Sequence, residues 1–153
     1  RFARLALPNG QVARSAWKEC ERAVEDVRRS RNVKLNINGE MVIAEVEYYF
    51  LAHIEADRPQ QALALIRPYS RPNTTLLARS SQSLWASQRG SDDELTLVNV
   101  KDIQAVVAMC PLPQCALDKA GMQSGMFLIE KLGLDILYMA GAREDIDDED
   151  DVP

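Results

Sequence analysis

The longest β-prone run of the chain covers residues 42–55, where apolar side chains recur at every second position. That period of two is typical of a strand with one buried face. The apolar face carries Val42, Ala44, Val46, Tyr48, Phe50, Ala52 and Ile54, and the other face carries Glu45, Glu47, Tyr49, His53 and Glu55. The pattern therefore predicts a long central strand whose two adjacent tyrosines point to opposite sides of a sheet.

A helical period precedes this strand. Between residues 12 and 29, apolar side chains are spaced three and four positions apart, which predicts an amphipathic helix. Its apolar face comprises Ala13, Ala16, Trp17, Cys20, Ala23, Val24 and Val27. We expect Trp17 and Cys20 to be core residues, with Cys20 acting as a small buried hydrophobe.

Short apolar runs separated by turn residues predict the remaining strands. Residues 33–37 and the following Asn38-Gly39 indicate a hairpin into the central strand, with a turn lengthened by Glu40 and Met41. Further strands are predicted at 62–66, 83–87, 95–100, 105–109 and 126–129, a short helix capped by Asn73 at 74–80, a loop at 111–121, and a short helix or edge strand at 132–139. This order favours a mainly β fold, a partly open antiparallel barrel of about six or seven strands with one N-terminal amphipathic helix.

Composition adds a single globular domain and an acidic tail. Of the 153 residues, 46% are hydrophobic and 27% are charged, and no apolar run approaches the roughly 20 residues of a membrane span. Residues 144–153 hold seven acids, and the other residues carry 18 basic and 16 acidic groups. We expect one domain over residues 1–143 and a disordered tail over 144–153, either merely solvated or competing for a basic partner.

The residues that catalysis and metal binding require are scarce. His53 is the one histidine, and Cys20, Cys110 and Cys115 form no CxxC pair, which argues against a zinc site and favours a reducing compartment. The glycines form no phosphate-binding motif, and the adjacent acids of residues 92–94 diverge in a turn. The sequence thus predicts no enzyme, no cofactor, no metal and no small-molecule substrate.

A basic cluster is a candidate contact for nucleic acid. Arg28, Arg29, Arg31 and Lys34 form the densest group of cations in the chain. Such side chains contact DNA phosphates without reading sequence, and they equally favour the dipole at a helix C-terminus. No aromatic residue is interleaved with them, so base stacking is not expected there.

Aromatic residues on or near strands are the second candidate set. Tyr48, Tyr49, Tyr69 and Trp85 could line a peptide groove or a cation–π cage for a methylated lysine, or could pack in the core. An exposed sheet edge accepting another strand is a further route to the same function.

Residues 7–19 (LPNGQVARSAWKE), 97–109 (LVNVKDIQAVVAM) and 127–135 (FLIEKLGLD), with RNVK at 31–34, EVEYYF at 45–50 and LLARSS at 76–81, carry a family resemblance. In this order they resemble the C-terminal region of Plavaka-type (CACTA-like) transposase proteins of mushroom-forming fungi, over most of residues 5–136. In that family the nuclease acids belong to an upstream domain, so the resemblance implies a non-catalytic accessory module. Its implied setting is nuclear, and its implied partners are DNA, a chromatin protein or other domains of the parent protein. A purely structural or oligomerisation role is the alternative.

A second resemblance concerns the order of elements. Ala64-Leu65-Ile66-Arg67-Pro68, followed by the strand, bend and strand of residues 97–109 and by Phe127, is similar to a BAH-type (bromo-adjacent homology) barrel. The acidic residue that follows Arg-Pro in that family is Tyr69 here. The resemblance implies an SH3/BAH-like barrel, whereas the histone pocket of the family is not carried over.

Overall fold

The computed structural model describes residues 1–21, 23, 30–54 and 59–130 of the chain. In these ranges the protein is mainly β, as the sequence predicts, and its strands form three antiparallel sheets that do not close into a barrel. The strands are β1 (Arg4–Ala6), β2 (Val12–Arg14), β3 (Asn32–Ile37), β4 (Glu40–Ala52), β5 (Gln61–Pro68), β6 (Ala86–Ser87), β7 (Thr96–Asn99), β8 (Ile103–Val106), β9 (Ala108–Pro111) and β10 (Met126–Ile129). The helices are α1 (Ala16–Glu19), α2 (Thr74–Arg79) and α3 (Gln114–Ala120), and Val100–Asp102 is a turn of 3-10 helix.

The five-stranded sheet has the order β7-β5-β4-β3-β8, with the predicted long strand at its centre. The hairpin between β3 and β4 turns through Asn38 and Gly39, which have φ angles of 53° and 88°. Two successive positive φ angles are those of a type I′ turn, so Ile37 pairs directly with Glu40. The expectation of a longer turn is wrong, because Glu40 and Met41 already belong to the strand.

A β-bulge divides β4 into two parts. Val46 pairs with Ile66, but the next pair is Tyr48 with Leu65, which leaves Glu47 as an extra residue. An inserted residue shifts the alternation of side chains by one position. As a result Tyr49, rather than Tyr48, joins Ala44 and Val46 in the main core, and the seven-residue apolar face predicted for this strand is interrupted.

The N-terminal segment differs most from its prediction. Residues 12–14 are not helical but form β2, which pairs with β1, and the Arg14 N–H donates to the Ser30 carbonyl at 2.9 Å. The helix begins at Ala16 and is described only to Glu19, and residues 22 and 24–29 lie outside the described ranges. Trp17 is 37% exposed and Cys20 is exposed, so neither is a core residue. Pairing of β2 with the neighbouring strand β1 has overridden the helical period.

The elements stack in four layers. The β1–β2 hairpin covers one face of the five-stranded sheet, and the sheet β6-β10-β9 covers part of the other. Helices α2 and α3 pack on the far side of that smaller sheet, around Leu76, Leu112 and Leu117. The main core lies beneath the hairpin and consists of Leu7, Ala13, Val33, Leu35, Ala44, Val46, Tyr49, Ala64, Ile66, Val98 and Ile103.

Other predicted elements are confirmed or corrected by this layering. The predicted strand at 105–109 is split between β8 and β9 because the chain crosses from one sheet to the other at Val107, whose N–H donates to the Asn32 carbonyl. The predicted loop at 111–121 contains α3, which ends at Gly121 with a φ angle of 65°. Strands β5 and β10 and the Asn73 cap of α2 are confirmed. The predictions for 132–139 and for the tail fall outside the described residues.

Candidate binding cleft

Glu45 of β4 is a buried carboxylate held by two arginines. Its side chain is 2% exposed, although the strand pattern places it among polar residues. Arg31 Nε lies 2.6 Å from Oε1, and Arg89 Nε donates to Oε2 at 2.5 Å. Burial lowers the pKa of Arg89, but the hydrogen bond and charge of Glu45 outweigh this effect and raise it. Both cations are thereby fixed in position beside one anion.

A second group of ion pairs, centred on Arg67, lies next to the Glu45 group at the bulge. The extra residue, Glu47, forms an ion pair with Arg67, with Oε1 2.8 Å from Arg67 Nη2, and Asp92 Oδ1 lies 2.9 Å from Arg67 Nη1. Arg89 Nη2 is 4.0 Å from Glu47 and links the two clusters. The bulge therefore places a carboxylate where a regular strand would not, and extends the ionic network across β4 and β5.

Tyr69 lies against the same network. Its hydroxyl donates to Asn32 Oδ1 at 3.2 Å, and both side chains are buried. Burial, followed by the charge of Glu45, raises the pKa of Tyr69 to about 12. The phenol is neutral at physiological pH and acts as a fixed hydrogen-bond donor.

These polar groups line a cleft of about 850 Å³. Its polar lining residues include Arg31, Asn32, Glu45, Tyr69 and Arg89, and its apolar lining residues include Met109, Leu112, Leu117 and Met126. The volume is within the range of roughly 300–1,000 Å³ that is usual for ligand sites. Fixed charges and adaptable methionines in one cleft make it suitable for a ligand with both polar and apolar parts.

Glu19 of α1 also lines the cleft and lacks the partners that Glu45 has. Its side chain is 3% exposed, and neither carboxylate oxygen has a hydrogen-bond partner among the residues that the structure describes. Arg31 Nη1 is 3.9 Å from Oε2, which is too far for a hydrogen bond. A buried carboxylate without donors is uncommon in folded proteins.

A smaller groove of about 420 Å³ adjoins the cleft through Tyr69. Tyr69 and Trp85 both line it, so the structure brings together two of the four aromatic residues predicted for peptide binding. Tyr49 is 3% exposed in the main core on the opposite face of the sheet. Tyr48 lies 5.8 Å from the Phe50 ring, and the Arg1 guanidinium lies 4.6 Å over the Tyr48 ring. The adjacent tyrosines point to opposite faces, as predicted, but neither lines this groove.

The basic residues predicted to contact DNA are only partly described. Arg28 and Arg29 lie outside the described ranges. Arg31 is bound to Glu45, and Lys34 Nζ is 2.8 Å from Glu130 Oε1. Contact with a phosphate would therefore compete with an existing ion pair at each of these two positions.

Several residues of the cleft were not identified from the sequence. The alternation places Glu45 on the polar face of its strand, and no sequence pattern singles out Glu19, Asn32 or Arg89. A signal was present in Ile43, an apolar residue on the polar face of the strand, which packs against Tyr69, Val107 and Met109. An apolar residue on each face indicates that both faces of β4 are covered, and Glu45 lies on that second face.

The potential for metal chemistry is limited in the part of the chain that the structure describes. No three His, Cys, Asp or Glu side chains come together there in a way that could hold a metal ion. Cys20, Cys110 and Cys115 are all free thiols. Cys20 and Cys110 line the cleft, where they add polarizable surface.

Comparison with known proteins leaves the cleft as the main guide to function. No protein-family model matches the chain, and no curated protein and no solved structure matches it. Among the described residues, no helix has the length and apolar character needed to cross a membrane. Function is therefore argued from the residues of the cleft.

Proposed function

We propose that this chain is a non-catalytic interaction module, and that the cleft around Glu45 binds a short segment of a partner protein. The observation that carries the proposal is the composition of the cleft: two arginines held by one buried carboxylate line it together with methionine and leucine side chains. A peptide segment presents both polar backbone groups and apolar side chains, and so complements both kinds of lining residue.

Preorganisation supports binding of a peptide at this position. Arg31 and Arg89 are 35% and 46% exposed, and each retains N–H groups that Glu45 does not use. Because their charged ends are already fixed, binding costs less conformational entropy than it would with mobile arginines. Met109 and Met126, which line the same cleft, can adjust their shape to different partner side chains.

The setting of the module is the second part of the proposal. The resemblance over residues 5–136 supports an accessory region of a transposase-like protein, acting in the nucleus on a chromatin protein or on another domain of its parent. The order of β5, β7, β8 and β10 supports a relationship to BAH-type barrels. The partly open SH3/BAH-like barrel is kept here as a proposal.

Selection of peptides tests the proposal directly. A phage-displayed library of random peptides is selected against the full chain, and enriched peptides are measured by isothermal titration calorimetry. Ser124 is exposed and lines the cleft, so Ser124→Trp should weaken enriched peptides at least tenfold. Gln104→Trp is the matched control, at an exposed position on β8 that lines neither the cleft nor the smaller groove. It should bind as the unmodified chain does. Failure to enrich any peptide, or equal binding by Ser124→Trp, would contradict the proposal.

Self-association is a second candidate function, favoured by one exposed surface. Beyond the bulge, Tyr48, Leu65 and Leu97 lie side by side on β4, β5 and β7, and Leu97 is 57% exposed. Strand β7 is at the edge of its sheet, where a second copy could add a strand. Sedimentation equilibrium over a hundredfold range of concentration tests this function. A monomer at all concentrations excludes it, and a dimer abolished by Leu97→Lys supports it.

A further inference from the structure

The unpaired carboxylate of Glu19 calls for a donor that the described chain does not provide. Burying an ionised carboxylate without hydrogen bonds is strongly unfavourable. Its nearest described cation, Arg31, directs Nε to Glu45 at 2.6 Å and leaves Nη1 3.9 Å from Glu19. Two acids thus share one arginine, and Glu45 receives the hydrogen bond.

The surroundings of Glu19 indicate which kind of donor would fit. The described residues bring no third metal-binding side chain to it, so the site does not have the composition of a metal centre. Met109, Cys110 and Met126 line the same cleft and supply an apolar path. A ligand suited to both features has an alkyl stem that ends in a compact cation with several N–H donors.

We propose that the cleft recognises an unmodified lysine side chain of the partner segment, with the ammonium group donating to Glu19 and the alkyl stem lying along Met109 and Met126. This inference rests on the proposed function, because it names the side chain that the cleft selects. Glu19 lines the cleft, but its carboxylate oxygens are buried, so the side chain has to change rotamer when the ligand binds. Lysine offers three N–H donors on a compact ammonium group, whereas the guanidinium of arginine is planar and larger.

Three matched peptides test the inference: acetyl-Ala-Leu-Lys-Leu-Ala-amide and its analogues with norleucine or Nε-acetyl-lysine at the centre. Their binding to the full chain is followed by calorimetry and by amide shifts in NMR spectra. We expect the lysine peptide to bind at least tenfold more tightly than either analogue, and to shift the amides of Glu19 and Met126. Added salt should reduce this preference, because the contact between the lysine ammonium group and Glu19 is an ion pair.

Two variants assign the preference to one carboxylate. Glu19→Gln should abolish the advantage of lysine over norleucine, and Glu21→Gln, at an exposed acid that pairs with Lys18, should retain it. Glu19→Gln should also raise the midpoint of thermal unfolding, because it removes a buried charge without donors. That result shows that the variant is folded and that the charge is kept for a reason other than stability.

Each remaining outcome counts against the inference. Equal affinity for lysine and norleucine, a preserved lysine preference in Glu19→Gln, or no binding of any of the three peptides at millimolar concentration overturns it. The proposed function can fail or survive separately. If peptides from the library bind, lose affinity in Ser124→Trp and contain no lysine, the cleft is a peptide site that does not select lysine.

Discussion

The two faces of the five-stranded sheet are built from the same strands but by opposite principles. On the face beneath the N-terminal hairpin, Val33, Leu35, Val46 and Ile66 are fully buried and apolar. On the other face, Glu45 is buried equally deeply, and arginines neutralise it. The first face stabilises by removing apolar surface from water. An ionic face is a weak source of net stability, but it holds charged groups in fixed positions, as a binding site requires.

The bulge at Glu47 also divides the second face along its length. On one side of it lie the arginine clusters and the cleft, covered in part by the smaller sheet. On the other side, Tyr48 and Leu65 lie beside Leu97, which is 57% exposed. One inserted residue thereby separates a polar binding region from an apolar surface.

The largest effect is expected on the apolar face. Ile66→Ala removes a fully buried side chain from the main core and leaves a cavity, so we expect a loss of about 4 kcal/mol in the free energy of unfolding. Urea denaturation followed by circular dichroism measures it. Leu97→Ala, at a side chain that is 57% exposed, should change stability by less than about 0.5 kcal/mol. Similar losses in both variants would mean that the two faces are buried alike.

Breaking the ionic face at its centre should have a somewhat smaller effect. Glu45→Gln leaves Arg31 and Arg89 without their shared anion, and we expect a loss of about 3 kcal/mol. This value is at the lower end for a broken buried pair, because both arginines are partly exposed and regain water. Glu40 is on the same strand as Glu45, and its ion pair with Arg71 joins two exposed side chains. Glu40→Gln should therefore have almost no effect on stability. Equal losses at Glu45 and Glu40 in urea denaturation would show that burial of the pair is unimportant.

The features predicted correctly from the sequence are those determined locally. The hairpin position at Asn38-Gly39 follows from residues that accept positive φ angles, although its turn is shorter than predicted, and Asn73 caps α2 with its own side chain, 3.0 Å from the Leu76 nitrogen. Both are decided within four residues of chain. The alternation also locates the central strand, but it does not reveal the bulge at Glu47 that reverses the faces beyond it.

What could not be predicted depends on contacts that the local pattern of residues does not contain. Trp17 is on a helical period, but β2 pairs with β1 and the helix starts only at Ala16. The sequence pattern indicates that Glu45 faces solvent. Its partner Arg89 is 44 residues away in sequence, so the pattern around Glu45 does not reveal the ion pair. The cleft is assembled from α1, β3, β4 and β9 with the segments around them, and no local pattern specifies that meeting.

Alkaline pH tests the buried tyrosine on each face, beginning with Tyr69. Burial raises the pKa of Tyr69 to about 12, above its value of 10.0 in the unfolded chain. The neutral form is favoured by folding, so this contribution is complete below pH 10 and is lost as the pH rises from 10 to 12. Between pH 9 and 11, the free energy of unfolding should therefore fall by about 1 kcal/mol less in Tyr69→Phe than in the unmodified chain.

Tyr49 provides the comparison from the apolar face. Burial alone raises its pKa, so Tyr49→Phe should flatten the alkaline loss in the same direction, without the contribution from Glu45 that Tyr69 has. Urea denaturation at a series of pH values measures all three curves. Parallel curves for the unmodified chain and both variants would show that neither phenol is held neutral by the fold.

The smallest effect on stability is expected at Lys34, and it separates the cleft from the predicted DNA contacts. Its ion pair with Glu130 is partly exposed, so Lys34→Ala should cost less than about 1 kcal/mol. If Lys34 contacts a phosphate, the variant should bind DNA more weakly, and the slope of log K against log salt concentration should fall by about one. Lys101→Ala, at an exposed lysine distant in sequence, is the control. An unchanged slope in Lys34→Ala would remove this residue from the DNA hypothesis without disturbing Glu45, which Arg31→Ala could not do because Arg31 holds that carboxylate.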